Sequence, residues 1–169
     1  MKRSLLSNLF LSLTLLFFTI WIGSYITRHI LFYQMFEPLN LDLRPVYNTL
    51  NLPVIMSTLT PAIIINLICY PLFLILFVLY LFSSKIVIKN EGWLFIIAVL
   101  ILLTAPFELY LSSIDLRIVS NVLSDNYNAA FVLSLVKKRM IELSSFSLIE
   151  IITLSASVFI AVFKPLRKV

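Results

Sequence analysis

The chain has 169 residues, of which 61% are hydrophobic and 12% charged, with a mean hydropathy of +1.05. Soluble domains carry about twice that share of charge, so water is excluded as the main solvent. The net charge of +5 is spread over the flanks of apolar runs, which argues for membrane topology and against a nucleic-acid partner.

Four apolar runs predict an all-α, integral membrane four-helix bundle in one domain, 1–169, with spans at about 5–26, 62–82, 93–111 and 146–163. Each approaches the ~20 residues that cross hydrocarbon. Backbone groups in lipid are satisfied only within such helices. The first run follows Lys2 and Arg3, exceeds a signal-peptide core and has no small-residue cleavage site after it, so it is expected to be an anchor. It can continue through Arg28 and His29 to about Phe36. From 27 to 61 the chain carries Pro38, Pro45 and Pro53, with Pro61 at the end. That spacing predicts a turn-rich or extended cap rather than a long helix, resting on the bundle or the membrane interface through Leu39, Leu41 and Leu43. The second and third spans are joined by a short polar turn at 83–92. From about Tyr127 to Phe163 neither proline nor glycine interrupts the chain. One helix of about 37 residues is therefore expected, roughly 55 Å long, whose first half, 127–145, projects beyond the membrane. Ala130, Phe131, Leu135 and Val136 oppose Lys137, Lys138 and Glu142 there, so this half is amphipathic and suited to lie against the cap or a partner.

The basic residues orient the bundle with both termini inside. Lys2, Arg3, Lys85, Lys89, Lys164, Arg167 and Lys168 then lie inside, and Arg28, Arg44, Arg117, Lys137, Lys138 and Arg139 outside, seven against six. All seven sit tightly against span ends. The expected location is a bacterial inner membrane.

Glu108 and Glu150 are the carboxylates within spans, where an ionisable group is costly unless paired, hydrated or neutral. In this orientation both lie toward the outer face, level with Asn66 in the second span and with Arg28 and His29 past the first. Thr104, Glu108 and Ser112 share one helical face, and Glu150, Thr153 and Ser157 another. Pro106 and Pro71 each free a carbonyl beside this layer. These residues predict an outward-opening polar pocket of His29, Asn66, Glu108 and Glu150, with Arg28, Arg117 and Arg139 as charge partners. The alternative is that the glutamates are paired or neutral and fix helix register. No metal or cofactor is assigned, because the carboxylates lack H-x-x-H or E-x-x-H spacing and a lone histidine cannot supply both axial ligands of a haem. Two glycines rule out Gly-rich phosphate loops, and the single Cys69 rules out an intramolecular disulfide or a C-x-x-C pair.

The stretches W-I-G-S at Trp21 to Ser24, F-E-L-Y-L-S-S-I-D-L-R at Phe107 to Arg117, and the basic turn at Lys137 to Arg139 resemble small four-helix bacterial membrane proteins of unassigned function. That group often has a histidine before the last span, where this chain has Glu142. An anthrone-oxygenase-like four-helix family is similar to the same degree and would imply an enzyme acting on a lipophilic aromatic substrate. The expected function is non-catalytic: a subunit of a membrane complex, or a lipid- or small-molecule-binding module whose partners are membrane lipid and other membrane subunits. The alternatives are a membrane enzyme using Glu108 and Glu150 for proton transfer, and an ion or proton transporter. The transporter reading is the weaker because the inner halves of the spans lack ionisable residues.

Overall fold

A computed structural model describes residues 5–38, 40–48, 50–84, 91–142 and 146–165. Leu39, most of the expected inner turn and the basic termini, including Lys2, Arg3, Lys85, Lys89, Arg167 and Lys168, lie outside the described residues. The rest forms α1 (Leu5–Met35), α2 (Leu52–Ser83), α3 (Gly92–Val122), α4 (Ala129–Ile141) and α5 (Phe146–Phe163). Four of these, α1, α2, α3 and α5, are long and apolar enough to cross a membrane.

Helix pairing follows from residue pairs whose numbers rise on one helix as they fall on the other. Phe18 meets Phe73, Trp21 meets Tyr70, and Ser24 Oγ donates to the Ala62 carbonyl at 3.0 Å, so α1 and α2 are antiparallel. On α3, Phe107 packs on Phe146 of α5 while Trp93 lies under Lys164 just past its end. Asp115 of α3 reaches Arg139 of α4. Both α4 and α5 thus run back along α3.

Two apolar cores result. One is formed by the late part of α1 (Phe32, Met35), the early part of α2 (Met56, Ile63), the late part of α3 (Leu111, Ile118) and α4 (Val132, Val136, Met140). The other joins Trp21, Tyr70, Phe73, Phe77, Trp93 and Ile97 of α1, α2 and α3 to Leu154 of α5. The molecule therefore has two storeys, with α4 completing one and α5 the other. The outward faces of the long helices are apolar, as at Leu16, Ile68, Leu102 and Ile152. Such a surface is a sticky patch in water and an ordinary one in lipid.

Three expectations change. The helix expected over 127–163 is two helices, because Glu142 is extended (ψ 122°), closes α4 through its N–H to the Lys138 carbonyl at 2.8 Å, and α5 starts only at Phe146. Asn128 caps the start of α4 by accepting from the Phe131 N–H at 3.0 Å. The turn-rich cap is also shorter than expected, since α2 begins at Leu52 rather than near 62. Pro53 occupies the first turn, where a missing N–H forfeits no helical bond. Pro61 does interrupt the ladder, but Met56, Leu59 and Ile63 around it are buried in the core. The loop that remains folds back through an antiparallel bridge between Phe36 and Leu43 and a bond from the Glu37 N–H to the Asp42 carbonyl at 2.8 Å. Finally, α3 continues past 111 to Val122.

The expected contact between the amphipathic segment and the loop is present, as Lys137 lies 4.0 Å from Asp42 and its ammonium over the Phe36 ring. The buried face of α4 is Val132, Leu135, Val136, Arg139 and Met140, while Phe131 is exposed.

Ile63 is fully enclosed and Leu102 is half exposed on the outward face. Ile63→Ala is expected to cost about 2–5 kcal/mol and Leu102→Ala less than about 0.5 kcal/mol, measured by denaturant titration in detergent micelles. Equal losses would contradict this assignment of inner and outer faces.

Candidate functional site

Where the two storeys meet, five charged side chains are buried together. The spacing of enclosed residues on α1, Trp21, Tyr25, Arg28, Phe32 and Met35, turns Arg28 inward on the same stripe as its aromatic neighbours. On α3 the corresponding stripe runs Thr104, Glu108, Leu111 and Asp115. Arg139 comes from the last turn of α4, and Ser147 and Glu150 from the first turns of α5.

Arg28 and Asp115, each about 1% exposed, form an ion pair through Nη1 and Oδ2. The same Asp115 oxygen accepts from Arg139 Nε at 3.4 Å, and Arg139 Nη2 stands 3.4 Å from both oxygens of Glu108. Asp115 thus bridges α1 and α4, and Arg139 bridges two carboxylates spaced two turns apart on α3. The Tyr25 ring lies beneath both guanidinium groups, 5.0 Å from Arg28 Cζ and 6.0 Å from Arg139 Cζ, a favourable cation–π arrangement. Burial works against the charge on Arg139, but the adjacent Asp115 and Glu108 carboxylates hold its pKa above the ordinary guanidinium value. Glu150, with no exposed surface, faces Glu108 and the Tyr25 hydroxyl, yet neither of its oxygens completes a hydrogen bond.

The sequence-predicted residues divide. Glu108 and Glu150 come together, and Arg139 joins them. Arg28 is in the layer but engages Asp115, not a glutamate. Arg117 is exposed and faces a shallow hollow with Ser120, Asn121 and Phe131. Asn66 bonds to Ser24 Oγ (3.3 Å) and to the Ala62 carbonyl (3.0 Å) instead. His29 is half-buried and packs between Tyr25 and Tyr33 of its own helix. Rather than lining an open pocket, Glu108 and Glu150 are enclosed, because Arg139 and Tyr25 fill the space beside them. Among the described residues, no three His, Cys, Asp or Glu side chains form a group able to hold a metal ion.

Asp115 is the residue that sequence reasoning missed as part of this layer. It follows Glu108 by seven positions, two helical turns on the same face, whereas Ser112, four positions after Glu108, is only half-buried.

A separate cavity of about 420 Å³ lies in the storey that α5 completes, between α1 and α5 with α2 and α3 as its floor. Leu11, Leu15 and Phe18 form one wall and Leu154, Val158 and Ala161 the other. Thr14 and Ser157 also line it, but their hydroxyls donate to Phe10 (2.7 Å) and Thr153 (3.0 Å) on their own helices. What remains is an apolar cleft with one charged lining residue, Lys164, at its end.

Comparison with known proteins finds no family model, no curated protein and no solved structure that matches this chain.

Removing one member of a buried ion pair strands the other charge and costs about 3–5 kcal/mol. Asp115→Asn, which strands Arg28 and leaves Arg139 with Glu108 as its one carboxylate partner, is expected to lose that much stability, and Arg117→Ala to change it by less than about 0.5 kcal/mol. Unfolding midpoints in micelles check both, and a tolerated Asp115→Asn would mean that the charges are hydrated rather than paired.

Proposed function

We propose that this chain is a small, non-catalytic integral membrane protein whose four apolar helices cross the bilayer as an antiparallel bundle, and which holds one lipophilic molecule in the cleft between α1 and α5. The cleft is the observation that carries this reading. Its volume, about 420 Å³, falls within the ~300–1,000 Å³ of small-molecule sites, and its wall offers an occupant apolar surface almost throughout. The buried ion pairs then have a structural role, joining α1, α3 and α4.

The same reading places both termini in the cytoplasm of a bacterial cell, on the strength of the basic residues at the span ends and the resemblance to bacterial four-helix proteins. The cleft then belongs to the inner leaflet, and α4 with the loop before α2 faces outward. A subunit role would instead fill the cleft with a partner's helix. Use of Glu108 and Glu150 on a lipophilic substrate is disfavoured, because neither lines any of the described cavities.

Protein extracted in mild detergent is expected to carry about one lipophilic molecule per chain, detectable by mass spectrometry of an organic extract. Leu15→Trp and Ala161→Phe, one on each wall, should lower that occupancy several-fold. A partner helix seated in the cleft by electron microscopy would replace this reading with the subunit role. For orientation, in a Cys69→Ser background an impermeant maleimide should label Asp125→Cys on intact cells and Asn90→Cys only after permeabilisation; the reverse pattern would invert the topology.

A further inference from the structure

The cleft has a polarity along its length, and its charged end is built unusually. Lys164 follows the last residue of α5, its N–H bonded to the Ile160 carbonyl at 2.9 Å, with a left-handed backbone (φ 47°). Glycine or asparagine ordinarily takes that position at a helix end, since a side chain there is strained. Pro165 follows, so the helix cannot continue. The turn brings the Lys164 ammonium over the Trp93 ring, 5.7 Å from its centroid, at the mouth of the cleft. From there the cleft runs along α5 to Leu154, ten residues and about 15 Å, half the ~30 Å hydrocarbon thickness. This is the reach of one leaflet.

Charge is also lopsided along the sequence. The stretches before Leu5, between Ser84 and Gly92 and after Phe163 carry Lys2, Arg3, Lys85, Lys89, Lys164, Arg167 and Lys168 against one acidic residue, Glu91. That carboxylate already accepts the Trp93 Nε1–H. All seven other acidic residues belong to the polar layer or the opposite end. An occupant with an apolar tail and an anionic head complements both features, whereas a neutral lipophile uses only one.

We infer that the cleft is a site for a single anionic phospholipid, with one acyl chain lying between α1 and α5 and the phosphate at Lys164. This rests on the proposed reading of the cleft and adds the class of its occupant. The strained backbone separates the functional role of Lys164 from a structural one: Lys164→Gly relieves strain and keeps the helix end, but removes the head-group contact.

The test is native mass spectrometry of the full chain released from nanodiscs of equal phosphatidylcholine and phosphatidylglycerol. The wild type should retain one lipid, phosphatidylglycerol over phosphatidylcholine by about fivefold, the ratio expected from one basic side chain at a membrane surface. Lys164→Gly and Lys164→Gln should both bring the ratio near one, Lys164→Gly with an unfolding midpoint no lower than wild type, and Lys164→Arg should keep it. One retained lipid without preference, or a preference that survives loss of Lys164, would overturn the head-group assignment and leave the cleft reading standing. Retention of no lipid, or a second copy of the chain in its place, would overturn both.

Discussion

Charge buried between two apolar storeys is the condition around which this protein is arranged. Arg28, Asp115, Arg139 and Glu108 come from three helices and are nearly inaccessible. In a low-dielectric interior each would be very costly alone. Together they exchange solvation for one another, and that exchange requires α1, α3 and α4 to hold a single relative height and rotation. A slip of one residue on α3 would carry both carboxylates off the shared face. Apolar packing specifies register less sharply, because lipid solvates a leucine about as well as a neighbouring helix does.

The position of the network explains the broken helix after α3. A continuous helix would present one face along its whole length, and the two storeys need different ones. α4 buries Val132, Val136, Arg139 and Met140, and α5 buries Ser147, Glu150, Leu154 and Ser157. Ending α4 at Glu142 lets its last turn deliver Arg139 between two carboxylates while α5 starts afresh along α3. A basic residue in that last turn also suits the negative end of the helix dipole.

The four apolar helices were legible because hydropathy over ~20 residues is a strong signal, and the shared depth of Glu108 and Glu150 followed from counting along antiparallel spans. What escaped depends on weaker or competing forces. Asp115 lay beyond the expected end of its span, so its depth was hidden until α3 proved longer. Three prolines near the start of α2 argued against a helix, yet one sat where proline is harmless and another was outweighed by burial of its neighbours. The division at Glu142 carries no proline or glycine, since it is imposed by packing on both sides rather than by local preference. The cleft has no motif at all: it is the space left where α1 and α5 diverge over a common floor.

That divergence gives α5 an unequal mounting. At its start the helix is clamped by Phe146 against Phe107 and by enclosed Ser147 and Glu150. At its far end it rests on α3 through apolar side chains and the Lys164 contact with Trp93. In mechanical terms it is a stave fixed at one end. Bending the free end outward breaks no buried ion pair and gives up only the Lys164–Trp93 contact and dispersion contacts of ~0.1–0.2 kcal/mol per atom pair. The width of the cleft can therefore vary while the storey containing α4 keeps its shape.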